Sequence, residues 1–247
     1  MTETTAPLLK RHFHLRSHEV DRKGRAKPDV LFCFMLDSAW AHANNSRFSY
    51  DTLKAEGQLW VLSRFRAVFH KLPMWDDEII VETWSKGTER MFGLRDFFIW
   101  SDKDEKLASA TSAWLVIDRK TSRIQRIDLV NSDFPHQLNK NALTEKLEKL
   151  EIAQTTSTGS EYDVRYSDLD VNGHVNSSRY LEWILDSYPA DILDSRNLKS
   201  FEMNFLAEAL LGDRIRTASD LQTGGDYHEI KRTGDGTEVC RAITRWE

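Results

Sequence analysis

The sequence predicts an α+β fold built twice, in which each half of the chain forms an antiparallel sheet around one buried helix. Three observations carry this. Two apolar helical stretches, one at 30–45 and one following Asn176, are each followed by strand-patterned segments joined by short turns. Glu19, Asp21 and Gly24 recur 149 positions later as Asp168, Asp170 and Gly173, and the same displacement sets "FMLDS" (34–38) on "WILDS" (183–187). From Asn131 to Gly159 the chain is polar and charged without a continuous apolar strand, which reads as a linker.

Taken in order, "RHFHLRSHEV" alternates as a strand carrying Phe13 and Leu15. His12, His14 and His18 have no carboxylate and cysteine set at ligand spacing, so they read as strand or surface histidines rather than metal ligands. "VDRKGRAKPD" is a loop, with Pro28 suited to a helix start, and "VLFCFMLDSAWAHANN" is a core helix. Four strands follow in "QLWVLSRFRAVFH", "DEIIVETWS", "MFGLRDFFIWS" and "LASATSAWLVIDRKT", and their short turns predict antiparallel pairing. The linker should hold one or two short helical turns, with domains at 1–134 and 158–247 and the linker at 135–157. After the second helix, "KSFEMNFLAEA", "DRIRTASDLQ", "DYHEIKRTG" and "TEVCRAITRW" offer four more strands. The two sheets are expected to pair edge to edge, which would remove exposed edges and make either half alone unstable.

Composition narrows the function. A formal charge of −5 argues against nucleic acid as partner. Cys33 and Cys240 lie in apolar surroundings without metal spacing and read as thiols of a reducing compartment, which points to the cytoplasm. No apolar run reaches the length of a membrane span, and "MTETTAPLLK" lacks the apolar core of a signal peptide.

The candidate site is "RYSDLDVNGHVNSSRYLEWILDS", residues 165–187. Asp168, Asp170, Asn172, Gly173, His174 and Asn176 crowd into nine positions just before Tyr180, Trp183, Ile184 and Tyr188, which are spaced for one buried helix face. Gly173 allows a tight backbone turn, and Asn176 or Ser177 can cap the helix. A neutral His174 can donate to a carbonyl or exchange a proton, Asn172 can orient substrate or water, and Asp170 can hold a neighbour in register. Asp168 reads equally well as a turn cap. Glu208, in the apolar "MNFLAEALLGD", is the other candidate: burial there would raise its carboxyl toward the range of a general base, whereas a surface turn would leave it ordinary. In the first copy Lys23 and Arg25 replace Asn172 and His174, so that copy reads as degenerate.

"YSDLDVNGHVNSSRYLEWILDS" followed by "MNFLAEA" resembles the catalytic half of the acyl-acyl carrier protein thioesterases of plants and bacteria, and the likeness extends through "ATSAWLVIDRKTSRIQRI" over nearly the whole chain. The resemblance implies a tandem double hotdog, with Asp170, Asn172 and His174 from the family's DxNxHVN signature and Glu208 as general base. It implies hydrolysis of fatty acyl thioesters on acyl carrier protein, with acyl-coenzyme A hydrolysis or noncatalytic acyl binding as alternatives, a dehydratase less favoured, and a homodimer as one assembly. Family members often carry Cys after the Glu, whereas this chain has Ala209, so no cysteine acyl-enzyme can form there and direct attack by water is implied. That chemistry calls for a polarised carbonyl and a placed water rather than a metal or redox cofactor. Arg64, Arg66, Lys71, Arg90 and Arg95 are candidate contacts for an acidic carrier.

Overall fold

The computed structural model describes residues 7–44, 46–127, 134–137, 139–151, 157–222 and 224–247. Two compact units are present, Met1–Leu147 and Glu148–Glu247. The first contains strand β1 (Leu9–His14), helix α1 (Pro28–Ala43), helix α2 (Tyr50–Ala55), β2 (Gln58–Phe69), β3 (Glu78–Glu89), β4 (Phe92–Ser101), β5 (Lys106–Asp118) and the short β6 (Ile124–Gln125). Its strands lie in the order β1-β3-β4-β5-β2, with β6 on β5, all antiparallel.

Pro28 opens α1, where its fixed φ suits the first helical position and its missing N–H costs nothing. Leu31, Phe32, Met35, Ala39 and His42 follow at three- and four-residue spacing and are buried. Phe32 meets Phe65 of β2 with ring centroids 4.3 Å apart, and Phe65 meets Phe97 of β4 at 5.9 Å, so the helix is fastened to the sheet through large rings. Each such ring removed from water contributes roughly 1.5–3 kcal/mol.

The second unit repeats this plan with β7 (Ser157–Asp163), α3 (Ser177–Asp186), α4 (Ala190–Ser195), β8 (Leu198–Phe205), β9 (Arg214–Asp220), β10 (Asp226–Arg232) and β11 (Glu238–Trp246). The strand order is β8-β11-β10-β9-β7, again antiparallel. Tyr180, Leu181, Trp183 and Ile184 of α3 are buried. Trp183 stacks on Tyr162 at 5.5 Å, and Tyr180 packs edge-on against Phe205 at 5.9 Å. Each unit is a hotdog fold.

Several elements differ from the sequence expectation. The first strand stops at His14, because Glu19 accepts the Arg16 N–H at 2.8 Å and turns the chain into a short helical turn over Ser17–Glu19. β3 runs on through Glu89 past a register shift at Ser85/Gly87. The short helices α2 and α4 were not expected. Among the described linker residues no helix forms beyond a single turn in which Lys140 N–H donates to Gln137 O at 3.4 Å. Instead the part up to Leu147 lies on the first unit, where Lys140 O accepts the Trp84 Nε1–H at 3.0 Å, Ala142 N–H donates to Asp96 Oδ2 at 2.6 Å and Leu147 O accepts from Arg64 at 2.7 Å. Side chains of the sheet thus satisfy the backbone groups that a helix would have paired internally. The remainder of the expected linker, 138 and 152–156, lies outside the described residues, as do residues 1–6 and 131–133 of the polar stretch.

Candidate active site

The polar loop before α3 is a set of interlocked turns. Asp170 Oδ1 accepts the backbone N–H groups of Asn172 at 2.8 Å and His174 at 3.2 Å, while Asp170 N–H donates to His174 O at 2.7 Å. Gly173 sits between them at φ 81°, a conformation that strains a residue bearing a Cβ. Asp168 is buried and caps its turn: its carboxylate accepts the Arg165 N–H at 2.8 Å and Arg179 Nε at 3.0 Å. Asn176, rather than Ser177, is the helix cap, with Oδ1 accepting from Ser178 N–H at 3.1 Å.

Glu208 does not end a strand. β8 stops at Phe205, and Glu208 lies in the turn that follows. Its side chain is 45% exposed, so the apolar burial expected from its neighbours is not present; Ala209 is buried while Leu210 and Leu211 are exposed. That turn is nevertheless tied to the polar loop. Val175 N–H donates to Ala209 O at 3.0 Å, His174 bridges to Leu210, and the His174 Nε2 stands 3.3 Å from a Glu208 carboxylate oxygen. Burial holds the Tyr180 phenol above its ordinary range, and that phenol hydrogen-bonds the Ala209 backbone.

The structure therefore brings His174 and Glu208 into contact, with Asn172 beside them in the same loop. Asn172 Oδ1 is buried and has no hydrogen-bond partner among the described residues. Asp170 is spent on main-chain N–H groups rather than on the Asn172 side chain. The backbone N–H groups of residues 172–176, Ser178 and Arg179 already donate within the loop and its neighbours. Those N–H groups are therefore not available to a developing negative charge, which side-chain donors can meet instead.

Two features were not legible from the motif. Arg232, at the end of β10, donates from Nη1 to the Glu208 carbonyl oxygen at 3.0 Å, and no local pattern in the sequence marks it. The pairing of Val175 with Ala209 joins segments that only the fold brings together. Among the candidate carrier contacts, Arg95 is buried and donates to His42 Nδ1 at 2.9 Å and Thr83 Oγ1 at 3.2 Å; burial lowers its guanidinium to about 10. It offers no surface charge. Arg66 lies 3.6 Å from Glu145 and Lys71 pairs with Glu105 at 2.9 Å. Cys33 and Cys240 are unbridged, and burial pushes the Cys240 thiol up, away from nucleophilic thiolate character. No helix among the described residues is long and apolar enough to cross a membrane.

The chain thus carries two hotdog units, the second with the Asp-Asn-His loop and the Glu that meets it. Residues 7–132 match the acyl-ACP thioesterase N-terminal domain and residues 151–247 the acyl-ACP thioesterase C-terminal domain, and the chain belongs to the acyl-ACP thioesterase family. It is 30% identical to oleoyl-acyl carrier protein thioesterase 2 of Arabidopsis thaliana, over 96% of this chain and 76% of that protein. It is 26% identical to a palmitoyl-acyl carrier protein thioesterase of Cuphea hookeriana, over 97% of this chain but 62% of the relative's length. The crystal structure of an acyl-ACP thioesterase from Bacteroides thetaiotaomicron superimposes with a TM-score of 0.87 at 28% identity, covering 98% of both chains.

Proposed function

We propose that this protein hydrolyses fatty acyl thioesters of acyl carrier protein to free fatty acid and carrier thiol, with catalysis in residues 158–247. The observation that carries the reading is the 3.3 Å approach of His174 to Glu208 across two distant segments, with the buried Asn172 Oδ1 of the same loop left without a hydrogen-bond partner among the described residues. Glu208 takes a proton from water as the water oxygen attacks the thioester carbonyl carbon. Asn172 and His174 stabilise the resulting oxyanion from their side chains, and Asp170 keeps both in register through their backbone. Collapse breaks the carbon–sulfur bond, and the proton held by Glu208 passes to the departing pantetheine sulfur, which regenerates the carboxylate. Family membership and the carrier-protein thioesterases among its relatives support the carrier as partner. Ala209 supports water rather than a protein thiol as nucleophile.

A panel of carrier-protein and coenzyme A thioesters tests the substrate class: faster release from the carrier thioesters is expected. Preference for coenzyme A overturns that choice, and no release from either leaves the acyl-binding alternative. Rapid-quench intact-mass measurement should find no acylated protein, and Glu208→Gln should slow the chemical step by roughly 100-fold or more. A kinetically competent acyl adduct, or near-normal hydrolysis by folded Glu208→Gln, sinks the mechanism. The unbridged cysteines support a cytoplasmic setting. Self-association into a homodimer belongs to the same reading, and a monomer mass at every concentration in sedimentation removes it.

A further inference from the structure

Glu208 stands in a turn, outside any strand, with its carboxylate half exposed, so its position depends on what grips the turn. Leu206 N–H donates to Val239 O at 2.9 Å on one side, and Val175 N–H holds Ala209 O at 3.0 Å on the other. Between them the Glu208 carbonyl is held by Arg232 Nη1 at 3.0 Å. The same guanidinium is anchored at its far edge, with Nη2 2.7 Å and Nε 3.3 Å from the two Asp235 carboxylate oxygens, and Nη1 lies 3.9 Å from Asp213 Oδ2. Asp213 in turn accepts the Leu210 N–H at 2.8 Å. Arg232 therefore ties both ends of the Glu208–Leu210 turn to the β10–β11 hairpin, and its rigid planar fork suits it to bridging partners in this way.

The first unit provides a natural control. There Met74 N–H donates to Asp77 Oδ2 at 2.8 Å as Leu210 donates to Asp213, so Leu72 occupies the place of Glu208. Ser101 N–H pairs with Glu105 O at 2.9 Å as Arg232 N–H pairs with Thr237 O at 2.9 Å, so Ser101 occupies the place of Arg232. Its hydroxyl accepts the N–H groups of Lys103 and Glu105 in its own turn. The turn folds without an arginine where it carries no carboxylate, and has one where it does.

We propose that Arg232 is a positioning residue for Glu208, holding the turn so that the carboxylate stays against His174; this rests on Glu208 acting as the base. The test uses the full chain and palmitoyl-acyl carrier protein, with Arg232→Gln, Arg232→Lys, Glu208→Gln and the Arg232→Gln/Glu208→Gln double variant. Arg232→Gln should lose roughly 10- to 100-fold in kcat, the scale set by displacing a catalytic group by about 1 Å, with KM within about twofold. Arg232→Lys should recover part of that, since an ammonium can still reach the carbonyl but cannot hold Asp235 at two points. In the Glu208→Gln background, Arg232→Gln should change the residual rate by less than about twofold, because a residue acting only through Glu208 has nothing left to position. Normal kcat for Arg232→Gln with a slow Glu208→Gln overturns the inference alone. So does a rise in KM without a fall in kcat, an equal loss in both backgrounds, or a fall in thermal stability that accounts for the loss and that Lys does not relieve. Near-normal turnover by Glu208→Gln itself removes the base and this inference with it.

Discussion

The loops that precede α1 and α3 share a backbone frame down to single hydrogen bonds. Asp21 Oδ1 accepts the N–H groups of Lys23 and Arg25 at 2.8 and 2.9 Å, as Asp170 Oδ1 does those of Asn172 and His174 at 2.8 and 3.2 Å. Gly24 and Gly173 lie at φ 77° and 81°. Lys27 N–H reaches Glu19 O at 3.0 Å, and Asn176 N–H reaches Asp168 O at 2.8 Å. The side chains then part. Arg25 folds back on Asp21, with Nε 2.7 Å from Oδ2, whereas His174 turns toward Glu208. Burial works against the Asp21 charge, but hydrogen bonds from Arg25 and Lys23 outweigh it and hold the carboxyl below its ordinary range. An aspartate present in both copies, doing the same task, belongs to the frame. The residues at which the two loops and the turns facing them differ are those at 172, 174 and 208.

The largest effect that would break this comparison is on turnover. His174→Ala and Asn172→Ala should each lower kcat by about 100-fold or more, the usual scale for an acid–base group or an oxyanion donor, while thermal melts stay close to the parent. Lys23→Ala, at the matched place in the first loop, should leave hydrolysis unchanged. Steady-state rates beside melting curves decide it: near-normal turnover by both folded second-loop variants would take them out of the chemistry.

A smaller effect sharpens the assignment of the two aspartates. Asp21→Ala and Asp170→Ala each leave two backbone N–H groups without their acceptor, so each should cost about 1–2 kcal/mol of stability in urea unfolding. Only the second should also slow hydrolysis, through the displaced Asn172 and His174. If Asp170→Ala abolished turnover with no change in unfolding midpoint, the aspartate would have a part in the chemistry that its hydrogen bonds do not reveal.

Much of this was legible in the sequence because it is local. The displaced match of Asp21 and Asp170 was visible since an aspartate two residues before the N–H it accepts is a short-range device. The α3 face at Tyr180, Trp183 and Ile184 follows from helical spacing alone. Glu208 was found by its odd apolar company, yet the reason given for it failed: Leu206, Leu210 and Leu211 are themselves exposed and so cannot bury it. Arg232 and the match of Leu72 to Glu208 were out of reach. Both depend on which strands lie side by side, and the spacing from loop to turn differs between the two copies. Arg95 looked like surface charge because a strand pattern does not say which face carries an unpaired cation.

The subtlest expected difference between the units is one of pH. His228 in β10 pairs across the sheet with Ser219 and Ala242, as Phe97 in β4 pairs with Thr83 and Ala110, and a register shift follows each, at Ile230/Lys231 and Ile99/Trp100. A buried imidazole thus stands where the first unit has a buried phenyl ring. Its Nδ1 lies 2.9 Å from Ser219 Oγ, and its Nε2 lies 3.0 Å from the Tyr188 hydroxyl and 2.9 Å from Thr244 Oγ1; Tyr188 also donates to Asp226 at 2.7 Å. Burial lowers the imidazole from 6.5 to about 3. The folded state therefore refuses a proton that the unfolded chain accepts below about 6.5. The neutral ring's contribution is complete above that pH and is lost progressively as pH falls toward 3, at up to about 1.4 kcal/mol per pH unit. His228→Gln keeps hydrogen-bonding capacity but cannot titrate, so it should lower stability near neutrality and flatten the acid slope between about pH 6.5 and 4. Urea unfolding at stepped pH, followed by tryptophan fluorescence, reads both quantities. An acid slope unchanged by His228→Gln would mean that the ring accepts its proton in the folded protein, and the contrast with Phe97 would then be one of packing alone.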